Sequence, residues 1–440
     1  MKLKVFLLTT IISLSCFSQN ITFQDANFKA ALLAHGNTIT GPGINVIDTD
    51  GDGEISFFEA SDYRGEIRLV NQNNISNLND LYFFTRITSL HIDNSFIVNL
   101  YLSNNIGLKK LEVSSSPFLS NIDLGTINLE HLSLRGNVLS TIVLPNTLTY
   151  FRYHDLYNAP LSNINFSNCP NLEVVDLVKF DGSVNLNSNT ALKGLYVLDN
   201  NQITSLDLSN NNLLDYIIVH DTNITSLDLS NKSDLTFVDV QNNLNLSALN
   251  VNNSTSLIYL YCQNNQITEL DLSTNPVVRN IRCQNNKLTK LDLANGNNQT
   301  LRNQNNYRMD ATGNPDLKCI NIDYGFIPPI PWWNKDLTAT YSDKCINPTD
   351  PEPSDPSLPT LESFREASTS LAVYPNPSKG IIHVKSNQAI QQMNLLNMNG
   401  ELISSTSNGN TMNISNLKKG MYLLEIRTEN KIIKRKIIKE

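Results

Sequence analysis

Basic residues are the first shortage in this sequence. Lys and Arg number 33 against 41 Asp and Glu among 440 residues, a formal net charge of -8. Binding a phosphate backbone or an anionic membrane needs a basic face, so nucleic acid is excluded as a partner. Only the closing stretch KIIKRKIIKE is strongly basic. After the first residues no apolar run is long enough to cross a bilayer as a helix. Histidine is sparse too: His35, His91, His131, His154, His220 and His383 are scattered without metal-ligand spacing. No G-x-S-x-G, H-E-x-x-H or glycine-rich phosphate loop accompanies them, so nothing here supports an enzyme. Charged residues make up 17% and aromatics 8%, a polar but weakly ionic composition that suits stacked turns better than helices. Apolar residues still reach 40%, enough to build a core.

The chain starts with Lys2 and Lys4, an apolar run from Val5 to Phe17 and small Ser18. That is the form of a signal peptide, residues 1–18, since the run is too short to span a membrane. Cleavage near Ser18 fits better than lipidation of Cys16. DANFKAALLA then reads as a short helix capped by Asp25, with Phe28, Ala31 and Leu32 on one face and Gly36 where it stops. The next segment matches D-x-D-x-D-G-x-I-x-x-x-E through Asp48, Asp50, Asp52, Gly53, Glu54, Ile55, Ser56 and Glu59. Alternate residues of a tight loop can supply the six to eight hard oxygens that calcium takes. Asp48, Asp50 and Asp52 would give carboxylates, Glu54 its carbonyl, Ser56 a direct or water-borne contact, and Glu59 a bidentate closure. Because the preceding helix is not contiguous with the loop, this resembles a lone EF-hand-like loop holding one structural Ca2+. Residues 19–65 then form an N-terminal cap.

The loudest feature follows. QITSLDLSNN at Gln202 returns as NITSLDLSNK at Asn223, QITELDLSTN at Gln266 and KLTKLDLANG at Lys287, and between the copies sits a freer phrase: YIIVHDTN, FVDVQNNL, YLYCQNNQ, NIRCQNNK. A repeat of about 21 residues means a solenoid rather than a closed globule. Period-2 spacing turns both apolar residues of each phrase inward, so each coil is expected to hold two short strands. The pattern begins at Ile67; the stretch from Leu144 to Asp181 is irregular.

Leu257, Leu260, Cys262, Asn265 and Ile267, and again Val278, Ile281, Cys283, Asn286 and Leu288, fit L-x-x-L-x-L-x-x-N-x-L. In this the chain resembles the leucine-rich repeat family. The resemblance implies a mainly β, right-handed solenoid over residues 66–318, with the Asn side chains satisfying backbone groups where the coil turns. Residues 319–346, rich in Pro and aromatics, are expected to cap the last coil with Phe326, Trp332 and Trp333. An exported chain permits Cys319 and Cys345 to form a disulfide there. Cys262 and Cys283 sit at one position in adjacent coils and read first as buried small hydrophobes. Residues 347–369, rich in Pro, Asp and Ser, read as a linker.

The last segment, 370–440, consists of short turn-bounded strands suggesting a small β-sandwich. Tyr374-Pro375-Asn376-Pro377 with Gly380, then Asn399-Gly400, then Lys419-Gly420-Met421-Tyr422 and a Lys-rich closing strand give it a close resemblance to the type IX secretion C-terminal sorting domain. The resemblance implies engagement of the secretion machinery, removal on arrival, and a secreted or outer-membrane-surface product.

Two outward rows remain. The regular phrase lines up Asp207, Asp228, Asp271 and Asp292, interrupted by Asn250; solvent and neighbouring hydroxyls are expected to relieve their repulsion. The freer phrase sends out Tyr196, Tyr216, Phe237, Tyr259, Tyr261 and Arg282. Exposed aromatics on a regular scaffold provide contact area at small entropic cost. They mark the expected ligand surface, for another protein or, as the alternative, for a glycan.

Overall fold

The computed structural model describes residues 19–72, 74–158, 161, 163–298, 308–328, 332–345, 372–374, 378–386, 389–397, 402–407, 409–428 and 432–440. The signal segment with Cys16 and the linker 347–369 lie outside these. The chain divides into two compact units, Met1–Asn347 and Pro348–Glu440.

In the first unit the freer phrase builds one continuous parallel sheet of thirteen strands, from β1 (Glu66–Val70) to Trp333–Lys335. Register is residue to residue: Ile217 pairs with Leu195 on one side and Val238 on the other, and Leu260 with Ile281. Beyond the strands the chain turns left-handed, at once at Asn94 (φ 57°) and three residues past the strand end at Asn242 (60°), Asn264 (60°) and Asn285 (56°). Asn tolerates that region better than most residues. The Asn after it points inward. Asn265 Nδ2 donates to Val240 O and Cys262 O, both at 2.9 Å, joining two coils, and Asn243, Asn286 and Asn314 repeat the bridge. In the phrase Gln-Asn-Asn, therefore, the first Asn makes the turn and the second stitches the stack.

The regular phrase behaves differently. Its strands are three residues long and pair only in short runs: Asn99–Tyr101 with Asn121–Asp123, Ser226–Asp228 with Ala248–Asn250, and a four-strand run from Glu269–Asp271 to Thr340–Ser342. In the regular phrase the Asp after the inward Leu curls back to accept the amide two residues on, Ser209 N to Asp207 at 3.0 Å and Ser230 N to Asp228 at 2.9 Å. That Asx turn stops the strand. The expectation of two strands in every coil holds only in part, since no strand forms at Ile142, Ile164, Val184 or Leu206. Coil length is uneven in that region, from 19 residues between His131 and Tyr150 to 24 between Tyr150 and Val174. The long sheet keeps its register through it, so the irregular stretch falls on the turns and the far side of the coil.

Both phrases feed one core. Leu206, Leu227, Leu249 and Leu270 from one side and Ile217, Val238, Leu260 and Ile281 from the other are buried in a single cluster with Cys169, Cys262 and Cys283. Those three cysteines are free. Burial pushes the Cys262 thiol up to about 12, so it behaves as a small apolar side chain.

The ends are closed by local devices. Helix α1 (Ala26–Leu33) is capped by Asp25, whose Oδ1 accepts the amides of Asn27 and Phe28 while Oδ2 accepts that of Ser76 in the first coil. At the far end the coil pattern runs past residue 318. Trp333 and Tyr341 belong to strands that extend the long sheet and the four-strand run, and Cys319 is bonded to Cys345 with Cα atoms 5.6 Å apart. Trp333 is buried against Phe326 at 5.1 Å, whereas neighbouring Trp332 is about half exposed and faces outward. Strand alternation sends adjacent residues to opposite faces, so only one of the two tryptophans serves the cap.

The second unit has two antiparallel sheets, one of Ala372–Tyr374, Ile381–Lys385 and Thr411–Asn413, the other of Leu402–Ser407, Ile390–Leu396, Gly420–Thr428 and Ile432–Lys439. Ile382, Val384 and Met412 from the first share a core with Met393, Leu395, Leu424 and Ile437 from the second. This is a small sandwich. Pro375–Pro377 and Asn399–Gly400 of its motifs lie outside the described residues.

Candidate functional site

The acidic loop brings three of its six candidate ligands together. Carboxylate oxygens of Asp48, Asp50 and Asp52 lie within 4.8 Å of one another. The loop is wound by its own aspartates: Asp48 accepts the amides of Gly51 (2.8 Å) and Gly53 (3.0 Å), and Asp52 that of Glu54 (2.8 Å). The Asp52 amide draws the Asp50 carboxyl down, but desolvation and the charges of Asp52, Glu59 and Asp48 outweigh it and hold Asp50 above its usual range.

Of the other three candidates, Ser56 and Glu59 are engaged elsewhere, while Glu54, expected to offer its carbonyl, commits only its carboxylate. Glu54 pairs with Lys29 of α1 at 2.6 Å. Ser56 and Glu59 form a capping box at the start of α2 (Phe57–Asp62). Glu59 accepts from Thr49 N (2.7 Å) through one oxygen and from Ser56 N and Oγ (both 2.9 Å) through the other. Burial alone would raise the Glu59 carboxyl; those donors, led by the Ser56 and Thr49 amides, take it below the usual range. The all-oxygen set fits a hard divalent cation. Asp48, Asp50 and Asp52 would hold it as they stand, while Glu59 would join only by giving up its cap.

The second candidate is the outward face of the long sheet. Register stacks its side chains into rows: His131, Tyr150, Val174, Gly194, Tyr216, Phe237 and Tyr259 in one, and Asp176, Tyr196, Ile218, Asp239, Tyr261 and Arg282 in the next. All six residues expected at the ligand surface therefore share one face. Tyr196 and Tyr216 are 5.3 Å apart, Phe237 lies 5.9 Å from Tyr259 and 5.5 Å from Tyr261, and the Arg282 guanidinium sits 4.7 Å over the Tyr261 ring. The rings are half-buried by one another. Burial, then the Tyr196 hydroxyl beside it, pushes the Tyr216 phenol up to about 12. Gly194 makes room for that ring, since a Cβ there would meet it at 2.1 Å. No helix or strand among the described residues of this unit packs across the face.

Sequence reasoning missed the extension of this strip at both ends. His131 stacks flat on Tyr150 at 4.2 Å, and Arg308 lies 5.2 Å over Trp332. Toward the first coils the face turns ionic. Glu112 takes His91 at 3.0 Å and Lys110 at 3.1 Å, with His131 Nε2 at 3.4 Å but not aligned for a hydrogen bond; Asp176 takes Arg152 (2.7 Å) and His154 (2.9 Å); Asp239 takes His220 (2.8 Å). Four of the six histidines are thus partners of carboxylates. On the other side of the coils the Asp row is relieved by its own turns, as in Ser273 N to Asp271 at 2.9 Å.

The second unit supplies the recognisable signature, for residues 372–440 match the family model described as a secretion system C-terminal sorting domain. The C-terminal unit is a sorting domain. Its presence assigns the chain to export, as a secreted or outer-membrane-surface protein. No described helix is long and apolar enough to cross a membrane. Searching curated proteins returns no match. Among solved structures the chain is similar to an internalin, InlF, of Listeria monocytogenes, at 15% identity and TM-score 0.42, covering 74% of this chain and 96% of that one. YopM of Yersinia enterocolitica gives 17% identity and TM-score 0.39 over 63% and 75%. A leucine-rich repeat protein of Bacteroides thetaiotaomicron gives 14% and 0.39 over 57% and 38%.

Proposed function

We propose that the exported solenoid recognises another protein through the aromatic strip of its long sheet, as an adhesion or interaction module and not as an enzyme. The observation that carries this reading is a cluster of half-buried rings on a face that no other described helix or strand of the unit covers. A glycan is the alternative occupant, and ring geometry argues against it. Stacking on sugars wants flat, accessible faces, whereas Tyr196 and Tyr216 are inclined by 56° and Phe237 and Tyr261 by 83°. Tilted rings make notches that suit apolar side chains. The full-length chain, offered to a displayed protein library and to a glycan array, is expected to take protein ligands. Tyr259→Ala with Tyr261→Ala should abolish that binding and leave unfolding nearly unchanged. Specific glycan binding lost in the same double variant would replace this reading with the alternative.

The acidic loop is read as a structural Ca2+ site that locks the N-terminal cap. At a hundredfold excess of calcium over Kd the ion would add about 2.7 kcal/mol of stability. Chelation should lower the melting temperature, and Asp50→Ala should remove that sensitivity. A melting point indifferent to EDTA would eliminate the site.

A further inference from the structure

The strip ends in a groove of about 340 Å³, lined among others by Asn280, Arg282, Gln284, Arg308, Asp310 and Trp332. Its chemistry differs from the rest of the face. Several cations of this sheet are neutralised by carboxylates: Arg152 and His154 by Asp176, His220 by Asp239, Lys110 by Glu112. Arg282 and Arg308 instead lie over rings, at 4.7 Å from Tyr261 and 5.2 Å from Trp332, and form no ion pair among the described residues. Among the described lining residues the one carboxylate, Asp310, turns its Oδ1 back onto its own turn, accepting from Thr312 N at 3.1 Å and Thr312 Oγ1 at 2.7 Å. Two cations against one anion leave the groove positive on a chain whose net charge is -8.

Two further groups lack a partner there. Asn280 Oδ1 and Gln284 Oε1 are buried and accept no hydrogen bond. A carboxamide turned by half a revolution presents its NH2 in place of its oxygen, so both can become donors to an incoming acceptor. A guanidinium resting on an aromatic ring loses little freedom when it engages a planar carboxylate with two parallel hydrogen bonds.

We infer that this groove receives a carboxylate side chain of the bound protein, with Arg282 and Arg308 as its clamp, while the adjoining Tyr259, Tyr261 and Phe237 take an apolar or aromatic neighbour of that acidic residue. The inference rests on the strip being the recognition surface, and it assigns the partner's chemistry: a segment with Asp or Glu beside a hydrophobic residue. Charge complementarity commits the site to an acidic protein segment.

The test is a random-peptide display selection on the full-length chain, with titration of the best peptide as a synthetic ligand. Enrichment of Asp or Glu next to Leu, Phe or Tyr is expected. Replacing that acid by its amide, or making Arg282→Gln with Arg308→Gln, should weaken binding at least about tenfold, with Arg→Lys at both positions falling between because the fork is lost but the charge is kept. Peptides that need Tyr259 and Tyr261 but carry no acid and ignore the arginine variants would overturn the clamp and leave the strip standing. A selection yielding no peptide sensitive to Tyr259→Ala with Tyr261→Ala would overturn both.

Discussion

The two sides of each coil are made of equally apolar inward residues, yet one repeats nearly letter for letter and the other does not. The repetitive side is where side chains shape the backbone: Asp228, Asp271 and Asp292 each stop a strand by accepting an amide two residues on, and Asp207 makes the same turn where no strand forms. The variable side is where the backbone holds itself, through thirteen strands in continuous parallel register. An outward residue in a ladder of main-chain bonds has no structural duty, so Tyr216, Asp239 and Arg282 can differ from coil to coil. Sequence monotony therefore marks turn-making, and chemical variety marks the surface free for recognition.

The strongest way to break this contrast is to test inward and outward neighbours on one strand. Leu260 is fully buried and Tyr259 beside it faces out. Leu260→Ala should cost about 2–5 kcal/mol through lost burial and a cavity. Tyr259→Ala should cost about 1 kcal/mol or less, mostly its ring contacts with Phe237 and Tyr261. Because coils touch only their neighbours, amide exchange across Thr236 to Arg282 is the proper readout. Equal losses from the two variants would refute the division of labour.

The asparagines sharpen the comparison, because both sides use them. Asn265 on the sheet side joins a carbonyl of its own coil to one of the preceding coil, and Asn275 on the other ties its coil to the preceding one, reaching Val251 O at 2.9 Å and Ser254 O at 2.8 Å. Removing either donor strands two buried acceptors, so Asn265→Ala and Asn275→Ala should each cost about 1–3 kcal/mol. Asn264, next to Asn265, is a turn residue at φ 60°; its change to Ala should cost about 1 kcal/mol and its change to Gly much less. Denaturation of the four variants separates stitching from turning. Lys232 fills one slot of the far-side ladder, its buried Nζ donating to Leu208 O at 2.7 Å, and Lys232→Asn should be tolerated there better than Lys232→Met.

Much of this was legible in the sequence. The period, the inward leucines, the Asp25 cap and the shared face of the six ligand-surface residues all follow from spacing alone. What spacing does not carry is which phrase pairs into a continuous sheet. LDLS alternates as cleanly as any strand, and only the Asp carboxylate curling onto the next amides shortens it. The rows on the face were legible even where neighbours lie 19 to 24 residues apart, because the apolar pairs starting at Leu132, Phe151, Val175, Leu195 and Ile217 are the ones that meet in register. What that count does not carry is which outward side chains touch, such as His131 flat on Tyr150. Trp332 and Trp333 look alike as letters and part company only through the pleat.

The long sheet still ends in edge strands, and the smallest predicted effect lies at the first of them. β1 would offer open backbone groups to any passing strand. Here Glu66 N donates to Gly43 O at 2.7 Å, Tyr63 Oη donates to Glu66 O at 2.8 Å, and Arg68 N donates to His35 Nε2 at 2.9 Å. His35 is fully buried and its Nδ1 contacts Ala31 O at 2.8 Å, which requires the neutral ring with the proton on Nδ1. Burial, the largest influence, pushes its pKa down from the usual value. The group is protonated in the unfolded chain below about pH 6.5 but stays neutral when folded. Stability from this site is therefore complete above that pH and declines as pH falls below it, by at most about 1.4 kcal/mol per unit until the folded group also titrates. The carboxylates held low, Glu112 and Asp176 among them, lose their contribution only at more acidic pH. Between pH 7 and 5.5, protection of the Arg68 amide, corrected for intrinsic exchange, should fall in the natural chain and stay flat in His35→Gln, whose carboxamide can both donate and accept. A His35→Gln profile as steep as the original would move the sensitivity away from His35, with His131 of the long sheet the other histidine whose pKa burial depresses.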